Sequence, residues 1–439
     1  MTVSPFDSVL LGELFADAEM AALFADTAMI ARMIEVERAL ARAQAQVGVV
    51  PADAATAIDT GLKGVVIAPE QLAPGTAAAG VPVPALVGEL RRRLDGDAAQ
   101  WLHWGATSQD IVDTALVLQL AAALDIFSAR LDELIATLGQ AAERHADLPM
   151  AGRTRSQVAT PITFGYRIAR WAQPLIELRS ALPGLRDRVA RVQFGGAVGT
   201  NAAVAPHGPA IIAALAEELS LGDGPAWHTD RSALGALAGW CASLTAALAR
   251  MAGDLILMGR SESGEARAGT GGGSSTMPQK ANPVAAEAMV ALARFSAALT
   301  TPMHLAAIHA EERDGAAWAV EWLTLPQSIA AAGASLRHAA ALAGTLNPDA
   351  ARMQAILDLD GGAVMAEAAS FALAQQMPRA EAQALVKQAV VAAAEGGTLA
   401  EALARLAPGI DWPVVLDPAA QAPAAAAVVR QLFGRRDAD

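Results

Sequence analysis

A single cysteine, Cys241, stands in 439 residues, so no internal disulfide can brace the chain. In its apolar segment that thiol reads as a small buried hydrophobe, consistent with a reducing cytoplasm. No Cys-x-x-Cys or His-Glu-x-x-His cluster is present, nor a Gly-x-x-x-x-Gly-Lys phosphate loop, and no metal or cofactor is expected. Aromatic residues make up only 4% of the chain. Positive charge is scarce: 32 Lys and Arg against 45 Asp and Glu leave a net charge of −13. That balance argues against nonspecific nucleic-acid binding. Mean hydropathy is +0.33, yet Glu287, Arg294 and His304 interrupt the apolar stretches, so no membrane span is expected. Met1-Thr2-Val3-Ser4-Pro5-Phe6-Asp7 lacks a basic segment followed by an apolar core, and no secretory signal is read there. A cytoplasmic location follows as an expectation.

What is abundant is alanine, within an apolar fraction of 54%. Alanine has the best helix propensity and lets backbones approach closely, so the composition favours close-packed helices. The length suggests about three domains, with ample chain for a large core. Helices are read from about Leu10 to Val47, where Met29, Ile30, Met33, Ile34, Val36, Glu37 and Leu40 recur at near-helical spacing. Pro51 and Asp53 open the next helix. Gly75 to Pro84 reads as a loop, followed by a short helix through Leu86, Leu90 and Leu94. Long helices are expected from Thr107 or Ser108 toward His145, from Pro161 to Arg191, from Ser232 to Ser261, and from Pro283 through His304. A shorter one spans Pro209 to Leu219. Strand-type alternation is scarce. Asn347-Pro348 begins a region of shorter helices broken at Gly361-Gly362 and Gly396-Gly397, the last running from Asp417-Pro418 to Gly434. The domains expected are 1–106, 107–346 and 347–439.

One stretch between two long helices carries the chemistry. In residues 264–283, five glycines of the first half confer mobility and Pro278 and Pro283 stiffen the second half. Between them lie Ser274, Ser275, Lys280 and Asn282. A bland Gly/Ser linker would not set an ammonium and a carboxamide in a proline frame. Upstream, Trp101-Leu102-His103-Trp104-Gly105-Ala106-Thr107-Ser108-Gln109-Asp110 turns at Gly105 into a helix N-terminus. Unpaired N–H groups and a positive dipole end suit carboxylate binding there. Pro149 to Gly165 contains Arg153, Arg155 and Gln157, and Arg155 suits fixed, bidentate binding of an anion. Arg313, in Glu311-Glu312-Arg313-Asp314, is a second anion-binding candidate, with ion pairing to Glu311 or Glu312 as its alternative. Gln193 to Thr200 is a glycine-rich turn without a preceding strand, hence no dinucleotide fingerprint. His228 reads as a capping or packing residue. Trp318 and Trp322, four apart, share a helix face. No nucleophilic triad is readable. A hydroxyl on a mobile arm, with cations and a helix N-terminus, suits addition–elimination beside a carboxylate.

Gly273-Ser274-Ser275-Thr276-Met277-Pro278-Gln279-Lys280-Ala281-Asn282-Pro283 resembles the signature G-S-S-x-M-P-x-K-x-N-P of the fumarase/aspartase superfamily at every fixed position. His103-x-Gly105-x-Thr107-Ser108-x-Asp110 resembles that group's first block, and Gly195 to Thr200 its Gly-Ala-x-Gly-Thr turn. In the second block most lyases of the group carry Gly-x-Thr-His, whose His helps with proton transfer. Here Arg155 stands in its place, and a guanidinium cannot serve as a general acid. That departure, the wording of the first block, and Glu312-Arg313-x-Gly315-x-x-Trp318-x-x-Glu321-Trp322 resemble the 3-carboxy-cis,cis-muconate cycloisomerase branch. The His of adenylosuccinate lyases, upstream of the first block, is replaced by Val81-Pro82-Val83-Pro84.

The resemblance implies an all-α fold of three helical domains around a central bundle of long helices. It also implies a homotetramer in which three subunits build each active site, so that 103–110, 153–157 and 274–282 meet in the oligomer. The implied substrate is a small tricarboxylate. Ser274 would carry the proton, with His103 as a relay. Thr107, Ser108, Gln109, Arg155, Gln157, Lys280, Asn282 and Arg313 would bind the substrate. The alternatives are a 3-sulfomuconate substrate, an argininosuccinate- or adenylosuccinate-type lyase, and a catalytically dead structural relative, against which Ser274, Lys280 and Asn282 argue.

Overall fold

The structure, a computed structural model, describes residues 4–273 and 276–434. Helices make up 68% of it, and the fold is all-α. Two compact units form, one from residues 1–130, 178–246 and 291–335, the other from 131–177, 247–290 and 336–439.

In the first unit the core is built on the helix Asp26–Gln46. It buries Ile30, Met33, Ile34, Val36, Ala39, Leu40 and Ala43 along one side. Against that side pack Ala52–Leu62, through Ala55, Ile58 and Leu62, and Gly208–Leu219, through Ile211 and Leu215. Each fully buried Leu or Ile stabilises by roughly 1.5–3 kcal/mol relative to exposure. Two polar residues, Glu37 and Gln44, interrupt the apolar side while nearly inaccessible. Cys241 is buried in the Ser232–Met258 helix, and burial pushes its thiol up to about 12.

In the second unit a cluster around Met365, Leu373, Val386, Leu403 and Trp412 holds the C-terminal helices together. Thr398 and Glu401 form a reciprocal capping box at Leu399–Leu406, satisfying two N–H groups the helix start would leave open. Two short ladders frame the signature stretch. Ala266 and Arg267 pair with Pro348 and Asn347, and Gly272 and Gly273 pair with Asn282 and Ala281.

Four sequence expectations need correcting. Residues 149–163, in a chain where strand-type alternation reads as scarce, form an antiparallel hairpin, Pro149–Thr154 with Gln157–Thr163, bulged between Ala151 and Gly152. The following helix therefore starts at Phe164 rather than Pro161. The loop expected from Gly75 to Pro84 shrinks to residues 80–82: residues 75–79 lie in the helix Pro69–Ala79, with Pro74 inside it, and Val83 begins the next. Gly75 fits there because a Cβ would lie 2.7 Å from that of Ala85, so its lack of a side chain serves packing. Lastly, three helices are by length and composition apolar enough to cross a membrane: Ser108–Arg144, Ser232–Met258 and Val284–Ala306. Their charges sit near the ends or are too few to interrupt an 18-residue window. The apolar windows are 72%, 44% and 28% buried, so the last two leave much apolar surface uncovered.

Candidate active site

The first unit assembles its polar groups around one carboxylate. Helix Ser108–Arg144 begins just after Thr107, whose carbonyl accepts from the Asp110 N–H at 3.0 Å. Asp110 folds back to accept the Thr107 N–H at 3.0 Å, the acidic half of a capping box. Its side chain also accepts the Gly195 and Gly196 N–H groups, both at 2.9 Å, and lies 2.8 Å from His228 Nε2. Four donors thus fill the lone pairs of one buried carboxylate, two on each oxygen. The glycine-rich turn can come this close because Gly195 has no Cβ: one would stand 2.8 Å from Ala226 Cβ and from His228 Cε1. His228 is buried, and its Nδ1 has no partner among the described residues. It is a structural partner of Asp110, in keeping with its expected packing role.

The site residues expected in this unit come together here. Gln109 is fully buried and donates from Nε2 to the His228 carbonyl at 3.0 Å. Its Oε1 accepts from Arg313 Nε at 2.8 Å, and Arg313 Nη2 donates to the Ala197 carbonyl at 3.1 Å. Arg313 therefore braces the turn and Gln109 rather than pairing with Glu311 or Glu312. Thr107 and Ser108 are half-buried, and among the described residues their hydroxyls take no hydrogen-bond partner. That leaves two hydroxyls free at a helix N-terminus.

His103 sits on the approach to that terminus with a left-handed backbone, φ 63°. Its Nδ1 lies 2.6 Å from Glu37 Oε1. Burial pulls the imidazole pKa down, but the charge and hydrogen bond of Glu37, with Asp110 beyond, outweigh it and raise the pKa above its ordinary value. Seven residues along the same helix, Gln44 Nε2 donates to the Trp104 carbonyl at 2.7 Å. Trp104 packs against Trp101 with ring centroids 4.7 Å apart and planes tilted by 48°.

The same unit holds a buried ionic cluster. Arg231 forks Asp113, with Nη1 to Oδ2 at 2.7 Å, and donates from Nε to Glu321 at 2.8 Å. Trp318 Nε1 donates to Asp113 Oδ1 at 3.0 Å, so this indole is a core member with its N–H satisfied. Burial raises Glu321 despite Arg231, and Asp113 adds to the rise.

In the second unit, Thr154 and Gln157 pair across a two-residue turn made of Arg155 and Ser156. Both turn residues are left-handed, with φ of 50° and 65°, where Asn-Gly is the usual choice. A non-glycine residue there costs about 1–3 kcal/mol, a strain often stored at functional sites. Arg155 is exposed, and among the described residues its guanidinium has no partner. Arg153, on the first strand, forks Glu265 at 2.7 and 3.1 Å, and Glu265 is 1% exposed at the root of the signature arm. Lys280 and Gln157 are exposed, and Asn282 is half-buried in the ladder to Gly272. Ser274, the expected proton carrier, and Ser275 lie outside the described residues.

Sequence reasoning named Asp110 and Glu321 only as positions of resembling motifs and Glu37 only in a helical repeat, and gave none of Glu37, Asp110, Asp113, Arg231 or Glu321 a role in the site. One signal was present for Glu37: a carboxylate within an otherwise apolar helical stripe. Asp110 and Asp113, three apart, share a helix face, but nothing local marks that face as buried.

A family model described as Lyase matches residues 15–295. The 3-carboxy-cis,cis-muconate cycloisomerase of Pseudomonas aeruginosa is 41% identical over 382 residues, covering 85% of this chain and 83% of that protein. The nitrosuccinate lyase of Streptomyces davaonensis is 37% identical, covering 90% of this chain and 87% of that one. A crystal structure of the 3-carboxy-cis,cis-muconate lactonizing enzyme from Pseudomonas putida superposes with a TM-score of 0.91 at 34% identity, covering 98% and 99% of the two chains.

Proposed function

We infer the activity from one premise: this chain belongs to the lyase family of the fumarase/aspartase superfamily. We propose that it is a 3-carboxy-cis,cis-muconate cycloisomerase, closing a protocatechuate-derived tricarboxylate to 4-carboxymuconolactone. The substrate's own carboxylate is the nucleophile, so no base is needed to create it. Its oxygen adds to a double bond, the π pair moves onto the adjacent carbon, and that carbon takes up one proton. Holding the diene curled makes the step intramolecular, with a high effective molarity. The intermediate is a carbanion delocalised into a neighbouring carboxylate, and it needs positive charge and N–H donors placed in advance. Thr107 and Ser108 at the helix start, Lys280 and Asn282 on the arm, and Arg155 on its strained turn are assigned to hold the carboxylates. Gln109 and Arg313 shape that helix start, and Gln157 flanks Arg155. Ser274 is assigned as proton carrier, with His103 behind it.

The observation that carries the reading is Arg155. An always-charged, exposed guanidinium without a partner among the described residues occupies the position where most lyases of the superfamily have an imidazole. It favours an added anionic substituent over acid catalysis from that position.

The assembly proposed is a homotetramer whose sites draw on three subunits. The Val284–Ala306 helix supports it, since most of its apolar window is uncovered in the single chain. The domain division proposed is 1–106, 107–346 and 347–439, with the cluster around Leu373 and Trp412 lying wholly in the last part. A cytoplasmic location and the absence of nucleic-acid and membrane partners belong to the same proposal.

Loss of diene absorbance tests the activity. The protein should consume 3-carboxymuconate and leave adenylosuccinate and argininosuccinate untouched. Equal or faster loss with 3-sulfomuconate would reassign the substituent, and no loss with 3-carboxymuconate would refute the reading. Ser274→Ala should lower kcat by roughly 10²–10⁴, the usual worth of positioned proton transfer, with the oligomer intact. Near wild-type turnover would remove Ser274 from the mechanism.

A further inference from the structure

We propose that Glu37 is the positioning residue that holds a proton on His103, so that the pair serves as the acid reservoir of the lactonisation. The inference rests on the cycloisomerase reading and deepens it. Three observations converge on Glu37. It lies on the core-facing side of the Asp26–Gln46 helix, 1% exposed, in a stripe that is otherwise apolar except for Gln44. A carboxylate so placed is costly unless it is paired. Its partner is the imidazole: Oε1 lies 2.6 Å from His103 Nδ1, while Oε2 is buried with no hydrogen bond among the described residues. The backbone also submits to the arrangement. His103 takes a left-handed φ of 63°, and Gln44, two helical turns from Glu37, clamps the next residue through the Trp104 carbonyl. Strain and a buried charge are both accepted to hold one ring in one pose.

That pose commits Nδ1 to Glu37 and leaves Nε2 with no partner among the described residues, on a side chain 18% exposed. The ring lies four residues ahead of Thr107 in the chain, at the approach to the helix start assigned to a substrate carboxylate. Lactonisation needs such a group. Converting a carboxylate to an ester while adding hydrogen to carbon takes up one proton per turnover. The imidazolium supplies that proton from Nε2, and water recharges the imidazole. No oxidant or co-reactant enters. Three charged groups face the ring. Glu37, from Asp26–Gln46, and Asp110, from Ser108–Arg144, favour the imidazolium, and Arg91, from Val83–Arg91, opposes it. Arg91 is turned partly aside, donating to the Leu102 carbonyl at 3.1 Å. Glu37 is the nearest of the three and the one in direct hydrogen bond.

The test uses the assembled enzyme, with Glu37→Gln, Glu37→Asp and the wild type. Diethyl pyrocarbonate modifies only the unprotonated imidazole, and mass spectrometry of the His103 peptide against pH reads the midpoint directly, without turnover. In Glu37→Gln this midpoint should fall, and the alkaline limb of kcat should fall by the same amount. KM for 3-carboxymuconate should stay within about twofold, since substrate binding is not what Glu37 serves. Glu37→Asp should restore part of both shifts. An unchanged midpoint overturns the proposal, as does a fallen midpoint with an unmoved kcat limb. If Glu37→Gln fails to assemble by size exclusion, Glu37→Asp is read by the same criteria. A wild type that does not consume 3-carboxymuconate would sink the cycloisomerase reading instead, and the midpoint would then decide the proton-holding pair alone.

Discussion

Replacing Asp110 by asparagine changes almost no volume and reverses the polarity of one end of a saturated group. Oδ1 accepts Gly195 N–H and faces His228 Nε2, and Oδ2 accepts Gly196 N–H and Thr107 N–H. An amide keeps one oxygen. If it stays toward Gly195, the new NH2 faces the buried Gly196 N–H and the half-buried Thr107 N–H, and both lose their acceptor. If it turns over, Gly195 N–H is stranded and His228 must accept at Nε2, which moves its proton to Nδ1, a buried atom with no partner among the described residues. Either orientation strands two donors at about 1–3 kcal/mol each, or roughly 2–6 kcal/mol together. A cost near 3 kcal/mol corresponds to about a hundredfold in a local opening equilibrium. Hydrogen exchange read on peptides covering 192–198 and 104–108 should therefore speed up by about that factor, with the oligomer held at one concentration. A peptide over the capping box at Thr398 should keep its wild-type rate. A change of less than about threefold at Gly195 and Gly196 would refute the account of Asp110 as the hub of this unit, because it would mean these N–H groups had found other acceptors at negligible cost.

Two further outcomes follow from the buried charges. Arg231→Met leaves Asp113 and Glu321 facing each other without their cation, and should cost about 3–5 kcal/mol, read as lost resistance to denaturant. Arg231→Met combined with Asp113→Leu and Glu321→Leu should recover much of it, and failure to recover would assign Arg231 a role beyond charge balance. His103 has a folded pKa raised above its ordinary 6.5. Its stabilisation is then fully present below 6.5 and is lost as pH rises through the raised folded value. The stability gap between wild type and His103→Gln should narrow as pH climbs through that window in denaturant titrations at fixed protein concentration. A gap that widens would reverse the assigned sign.

Read alone, the sequence determined the helices, the helix start at Thr107 and the signature arm. These depend on signals that act within a turn or two: alanine propensity, apolar spacing, a turn followed by an N-cap hydroxyl, proline and glycine at set places. It also carried the family resemblance, since that lies in residue identity. The hairpin at 149–163 escaped because its turn is built from Arg155 and Ser156, side chains that do not advertise a left-handed backbone. Gly75 misled for the converse reason: its missing side chain answers to Ala85 across the fold and not to the local chain. The pairings that give the site its electrostatics were decided only by tertiary structure. Glu37 meets His103 from 66 residues away, Gly195 meets Asp110 from 85, and Arg313 meets Gln109 from 204. A carboxylate on a helix looks the same in sequence whether it faces water or an imidazole. Burial is what turns such a residue into a strong partner, because a charge removed from water must be matched where it lies.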